Sequence, residues 1–190
     1  MPDIAAPYLI YLGDTPMAEL AKTGAGLAFW RPERCLAQLR EPGCAADLGL
    51  PDMGLQEAAA KGAKTLVIGT SAPGGQLPPG WTARLVEAME AGLDIASGLH
   101  LPLRAIPELA EAAGRTGRQL HDVRLSGGPH PIANGLPRTG HRLLTVGTDC
   151  AVGKKYAALA IHKALVARGI PATFRATGQT GILVTGDGVP

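Results

Sequence analysis

The sequence predicts an α/β protein built around a mostly parallel sheet. Short apolar runs recur along the chain with helix-like stretches between them, which is the alternation of βαβ units. The runs are uninterrupted by polar residues, as strands covered on both faces are. Finally, 26 glycines and 16 prolines, with only 4% aromatic residues, describe many tight turns around an aliphatic core.

The elements follow in chain order. Residues 8–12 (YLIYL) form a buried-strand pattern closed by Gly13 and Asp14. Residues 17–22 make a helical turn or two ended by Gly24, and residues 26–30 (GLAFW) are a second strand candidate. Residues 55–61 (LQEAAAK) are helix-like, with Gly62 where a C-terminal cap belongs. Residues 65–69 (TLVIG) give the clearest strand of this half. Residues 81–90 form an amphipathic helix, with Leu85 and Met89 on one face and Gly92 as its stop. Residues 93–96 read as a strand and 106–113 as a short helix. Residues 1–125 are therefore expected to form one Rossmann-like domain. Residues 126–140, rich in glycine and proline and without periodicity, read as a linker. A new βα unit begins near Arg142: a strand at 143–146 and a helix at 156–168 whose inner face carries Ala158, Ile161 and Leu165. A short strand at 172–174 follows. At about 50 residues, this second part is too short for an α/β domain of ordinary size. The chain is expected to hold only the first part of that domain.

Composition removes several function classes. With 18 Lys plus Arg against 16 Asp plus Glu, the net charge is +2 and no basic run exists. Binding to nucleic acid by phosphate neutralisation is not expected. The longest uncharged stretch, 65–83, is broken by glycines and prolines, so no membrane span or membrane partner is expected. Cys35, Cys44 and Cys150 have neither disulfide parity nor metal-ligand spacing, and the N-terminus lacks a basic signal region. Reduced thiols in a cytoplasmic protein follow. His121, His130, His141 and His162 show no metal spacing, and no Gly-x-Ser-x-Gly elbow is present.

The chemistry concentrates between the strand at 143–146 and the helix that follows. Gly147, Thr148, Asp149, Cys150, Ala151, Val152, Gly153, Lys154, Lys155 and Tyr156 form a glycine-bounded loop and the first helical turn. Main-chain N–H groups converge in such a loop, and the helix dipole adds positive potential, so it cradles anions. Two lysines in a first helical turn are repelled by the dipole by about 0.3–1 kcal/mol each, an arrangement that a bound polyanion would relieve. The second part is thus expected to be P-loop NTPase-like. The loop has one more spacer residue than the common G-x4-G-K-[ST] pattern, and Lys155 replaces the hydroxyl that holds Mg²⁺. Asp149 could offer a carboxylate to a metal or cap the loop. Cys150, near a helix N-terminus, could be a reactive thiol or a small buried loop residue.

The segment GTDCAVGKK (147–155) resembles the G-T-D-x-x-V-G-K-T loop of dethiobiotin synthetase, apart from the final threonine. The closer resemblance is to the D-glutamate N-acetyltransferase family, a Rossmann-like domain followed by a P-loop domain. It is carried by GDTPMAELAKTGAGL (13–27), GTSAPGGQLPPGW (69–81), GLDIASGLH (92–100), VGTDCAVGKKYAALAIHKAL (146–165) and RATGQTGIL (175–183). This resemblance implies transfer of an acetyl group from acetyl-CoA to the amine of a D-amino acid, with the loop holding the coenzyme phosphates. The alternatives are an ATP- and Mg-dependent ligase or kinase, or a non-catalytic nucleotide-binding module. A small-molecule substrate and a homo-oligomer are expected.

Outside the loop, polar residues after strand ends fall on the ligand side of an open α/β sheet. Gln179 and Thr180 are candidates for substrate or phosphate contact, and Arg175 for a carboxylate. The loop after residue 69 (GTSAPGG) is a second candidate ligand or interface loop, and His100 lies after another strand.

Overall fold

The computed structural model describes residues 4–71, 73–125, 132, 134–137, 139–149 and 152–189. Strands β1 (Tyr8–Gly13), β2 (Cys35–Arg40), β3 (Thr65–Ile68), β4 (Asp94–Ser97) and β5 (Leu120–Asp122) form one sheet in the order β2-β1-β3-β4-β5. All four pairings are parallel. The helices are α1 (Lys22–Trp30), α2 (Leu55–Ala60), α3 (Trp81–Glu90), α4 (Pro107–Thr116), α5 (Lys154–Ala167) and α6 (Gln179–Thr185).

Alternate side chains of each strand face opposite layers, as a period of two requires. On one face Leu9, Tyr11, Leu66, Ile68 and Ile95 meet Leu85 and Met89 of α3 and Leu109 and Ala112 of α4. On the other, Ile10, Leu12, Val67 and Ala96 meet Leu27 of α1 and Ile182, Leu183 and Val184 of α6. Helix α6, which lies after the expected linker, thus covers part of the first sheet. Full burial of each such aliphatic side chain contributes about 1.5–3 kcal/mol.

Several expectations are corrected. Residues 26–30 belong to helix α1, not to a strand, and Gly24 does not end the preceding turn but lies inside the same helix. The reason is tertiary: the Gly24 N–H bonds the Gly69 carbonyl at 2.7 Å, bringing the helix onto the end of β3. A β-carbon at Gly24 would stand only 3.0 Å from Ile10 Cγ2. Strands β2 and β5 occupy segments that the sequence left unassigned. Residues 143–146 form no strand, and Leu143, Leu144 and Val146 are 68%, 77% and 79% exposed. An apolar run becomes a strand only beside another strand, and no described residue pairs with this one. Residues 172–174 likewise form no strand; Ala176 makes an isolated bridge with Gly188. In α5 the buried residue is Leu159, while Ile161 is exposed, because the helix meets the first domain through the Tyr156–Leu159 side. The expected linker falls largely outside the described residues, as do Cys150, Ala151 and His130.

Candidate functional site

Gly153 has φ +96° and turns the chain directly into α5, a left-handed conformation that favours glycine. The Lys154 ammonium folds back and donates to the Asp149 carbonyl, while the Lys154 carbonyl accepts from Thr145 Oγ1 at 2.9 Å. A side chain at Gly147 would press on Val152 Cγ2 at 2.8 Å and on the Lys154 stem at 3.2 Å. Gly147, Thr148, Asp149, Val152 and Gly153 therefore form a compact bend with a cationic head held across its main chain.

Lys155 points elsewhere. It lies between α5 and the first domain, near Lys22, with its Nζ 4.6 Å from the Tyr156 ring centroid. Burial, with the Lys22 charge second, lowers the Lys155 ammonium to about 8. Among the described residues neither Lys22 nor Lys155 has a carboxylate partner. Tyr156 anchors the arrangement: its hydroxyl donates to the Lys22 carbonyl at 3.1 Å, and its ring stacks on Trp30 at 6.4 Å between centroids.

This geometry sets a pH dependence. Below about pH 8 Lys155 is charged in both folded and unfolded chains, and the fold bears the whole cost of its burial. Above that pH the folded chain sheds the proton while the unfolded chain keeps it, so this contribution to stability rises with pH. Lys155→Met will therefore stabilise the protein more at pH 7 than at pH 9, as read from urea midpoints. Equal gains at both pH values would contradict the assignment.

A cleft of about 520 Å³ opens at the C-terminal ends of β3 and β4. Its walls include Thr23, Thr70, Ser71, His100, Arg124 and Gln179. The structure thus brings the loop after residue 69, His100 and Gln179 to one place. Thr180 is buried and engaged instead with the first domain: its Oγ1 lies 2.9 Å from Thr23 Oγ1. Arg175 is exposed and paired with Asp187. Arg124 escaped notice in the sequence because β5, the strand it follows, was not recognised; its signal was a cation just beyond a strand end. Arg124 donates Nε to the Gly98 carbonyl at 2.8 Å and Nη2 to Gln179 Oε1 at 2.9 Å. A β-carbon at Gly98 would overlap the Gln179 side chain, and one at Gly75 the His100 ring. Both glycines thus permit those wall residues to lie close. Lys22, whose charge acts on Lys155, immediately precedes Thr23, which lines the cleft. No described helix is long and apolar enough to cross a membrane, and no metal-binding group of His, Cys, Asp or Glu occurs among the described residues.

The comparisons with known proteins agree with this two-part arrangement. Residues 39–126 match the domain of unknown function DUF1611_N, a Rossmann-like domain, and residues 131–190 match DUF1611_C, a P-loop domain. A D-glutamate N-acetyltransferase of Tritonibacter scottomollicae is 56% identical over 98% of this chain and 56% of its own length. One from a Pseudoalteromonas species is 42% identical over 98% of this chain and 56% of its own length. The chain spans about half the length of these curated relatives. The crystal structure of a DUF1611 family protein from Anabaena variabilis superposes with a TM-score of 0.83 at 31% identity, covering 97% of this chain and 57% of that one. With both characteristic segments in order and these relatives along nearly all of its length, the chain belongs to the DUF1611 family.

Proposed function

We propose that this chain is part of an N-acetyltransferase that acetylates D-glutamate with acetyl-CoA as donor. The carrying observation is the bend ahead of α5 with the Lys154 ammonium held across it. Such a bend meets phosphate with main-chain N–H groups and a cation. Gly147 to Lys154 are the residues assigned to the coenzyme phosphates, while Lys155 and Tyr156, also expected there from the sequence, face the first domain. The similarity to two D-glutamate N-acetyltransferases supports the acyl acceptor. In the reaction the substrate ammonium first loses a proton. The free amine then attacks the thioester carbonyl, the carbon–sulfur bond breaks, and the coenzyme leaves as its thiol with the second proton released from nitrogen. Main-chain N–H groups near the bend are candidates to stabilise the oxyanion of the tetrahedral intermediate. Cys35 is unsuited to act as a nucleophile, since burial pushes its thiol up to about 11. Free Cys35 and Cys44 fit a cytoplasmic setting.

Lys155, where a P-loop carries the Mg²⁺-binding hydroxyl, favours a diphosphate bound without metal over ATP. Titration calorimetry decides between them. Acetyl-CoA is expected to bind without added Mg²⁺, and more tightly than Mg-ATP. Magnesium-dependent binding of ATP, with none of acetyl-CoA, would replace this proposal with an ATP-dependent ligase or kinase.

A further inference from the structure

We infer that the cleft at the ends of β3 and β4 is the seat of the acceptor amino acid, with Arg124 receiving its side-chain carboxylate. This rests on the acetyl-transfer proposal for the identity of the acceptor, but its geometry is separate from the phosphate bend.

The charge balance of the cleft supports it. Among the described lining residues none is acidic, and Arg124 is the one arginine or lysine. Among the described residues its guanidinium engages two acceptors with two of its five N–H donors, and both are neutral: the Gly98 carbonyl and the Gln179 amide oxygen. Among the described residues Arg124 has no carboxylate partner, unlike Arg40, Arg84 and Arg115. A partly buried cation without a counter-ion is costly; a carboxylate accepted on its free N–H groups would relieve that cost and gain charge-assisted hydrogen bonds. The two acceptors hold the fork in place before a ligand arrives, which lowers the ordering cost of binding.

The rest of the wall suits a small, zwitterionic and anionic guest. Ser71 and Thr23 supply hydroxyls on the wall. The His100 main chain is fixed by donation from its N–H to the Gly75 carbonyl at 3.0 Å, while its ring nitrogens have no hydrogen-bond partner among the described residues. The imidazole is thus left to meet a substrate ammonium, the group from which a proton must be removed.

The test is titration of the 190-residue protein with D-glutamate, L-glutamate, D-glutamine and inorganic phosphate, followed by calorimetry and by amide chemical shifts. D-Glutamate is expected to bind more tightly than D-glutamine and phosphate, and to shift the amides of Gly75, Gly98 and His100. Arg124→Gln should weaken it at least ~10-fold, the scale of a lost hydrogen-bonded charge pair, whereas Lys154→Ala should leave it unchanged. If Arg124→Gln fails to fold, the shift map of the unaltered protein decides alone. No D-glutamate binding, shifts confined elsewhere, an unaltered affinity in a folded Arg124→Gln protein, or phosphate binding as tightly as D-glutamate would each overturn the inference. D-Glutamate bound at Arg124 with acetyl-CoA failing to bind would sink the donor proposal and leave this one standing. Acetyl-CoA bound through Lys154 without D-glutamate in the cleft would do the reverse.

Discussion

Lys154→Ala will raise the dissociation constant for acetyl-CoA by about 30-fold or more while leaving the urea midpoint of the protein within error. The ammonium spans the bend to the Asp149 carbonyl, so its contact is local to the loop and supports no part of the core. A charged hydrogen bond to phosphate is worth about 1.5–3 kcal/mol, and each 1.4 kcal/mol is a factor of ten in affinity. The mechanism differs for Lys155→Ala. That side chain is half-buried near Lys22 and away from the bend, so its loss should change stability rather than acetyl-CoA affinity. Calorimetry and chemical unfolding on both variants check the distinction. Unchanged acetyl-CoA affinity in Lys154→Ala would show that the coenzyme does not sit at the bend.

Gly13→Ala will destabilise the fold by about 3 kcal/mol, roughly twice as much as Gly62→Ala. Gly13 closes β1 with φ +57°, and a β-carbon there would overlap the six-membered ring of Trp81. Trp81 has nowhere to move. It is buried, its Nε1 donates to Asp14 Oδ1 at 2.9 Å, and its ring meets Tyr11 edge-on with 4.7 Å between centroids. The left-handed backbone costs alanine about 1–2 kcal/mol, and overpacking a filled core costs about 1–3 kcal/mol more. Gly62 also has positive φ but faces open space, so only the backbone cost applies. Urea unfolding followed by Trp81 and Trp30 fluorescence measures both; equal losses would mean that the Trp81 pocket yields freely.

The legible elements and the misread ones differ in where their information resides. β1, β3 and β4 were readable because central parallel strands are apolar on both faces, and their side chains supply both core layers. Helices α2 and α3 were readable from the glycines that follow them, α3 also from its periodicity, and α4 as a short helix-like stretch. β2, with Gln38 and Arg40, and the three-residue β5 lie at the sheet edges. Their pairing partners, not their composition, make them strands. Residues 26–30 misled because aromatic residues favour strands in isolation, while the Gly24–Gly69 contact selects a helix. For the candidate site, the bend proposed to hold phosphate was visible as a spacing, since its N–H groups belong to consecutive residues. The cleft was not, since Arg124, Gln179, His100 and Ser71 come from four separate segments.

The sequence alone determined the α/β class, the central strands, the order of a Rossmann-like part and a P-loop part, and the position of the glycine-bounded bend. Each of these is written in near neighbours along the chain, where hydrophobic period and glycine placement act directly. Only the tertiary structure decided that α6 covers the first sheet, that Lys154 and Lys155 diverge, and that Arg124 is held in an acid-free cleft. Those outcomes depend on which distant surfaces bury one another and on which charges are then left without a counter-ion. Burial and charge pairing belong to the assembled fold, and no local pattern encodes them.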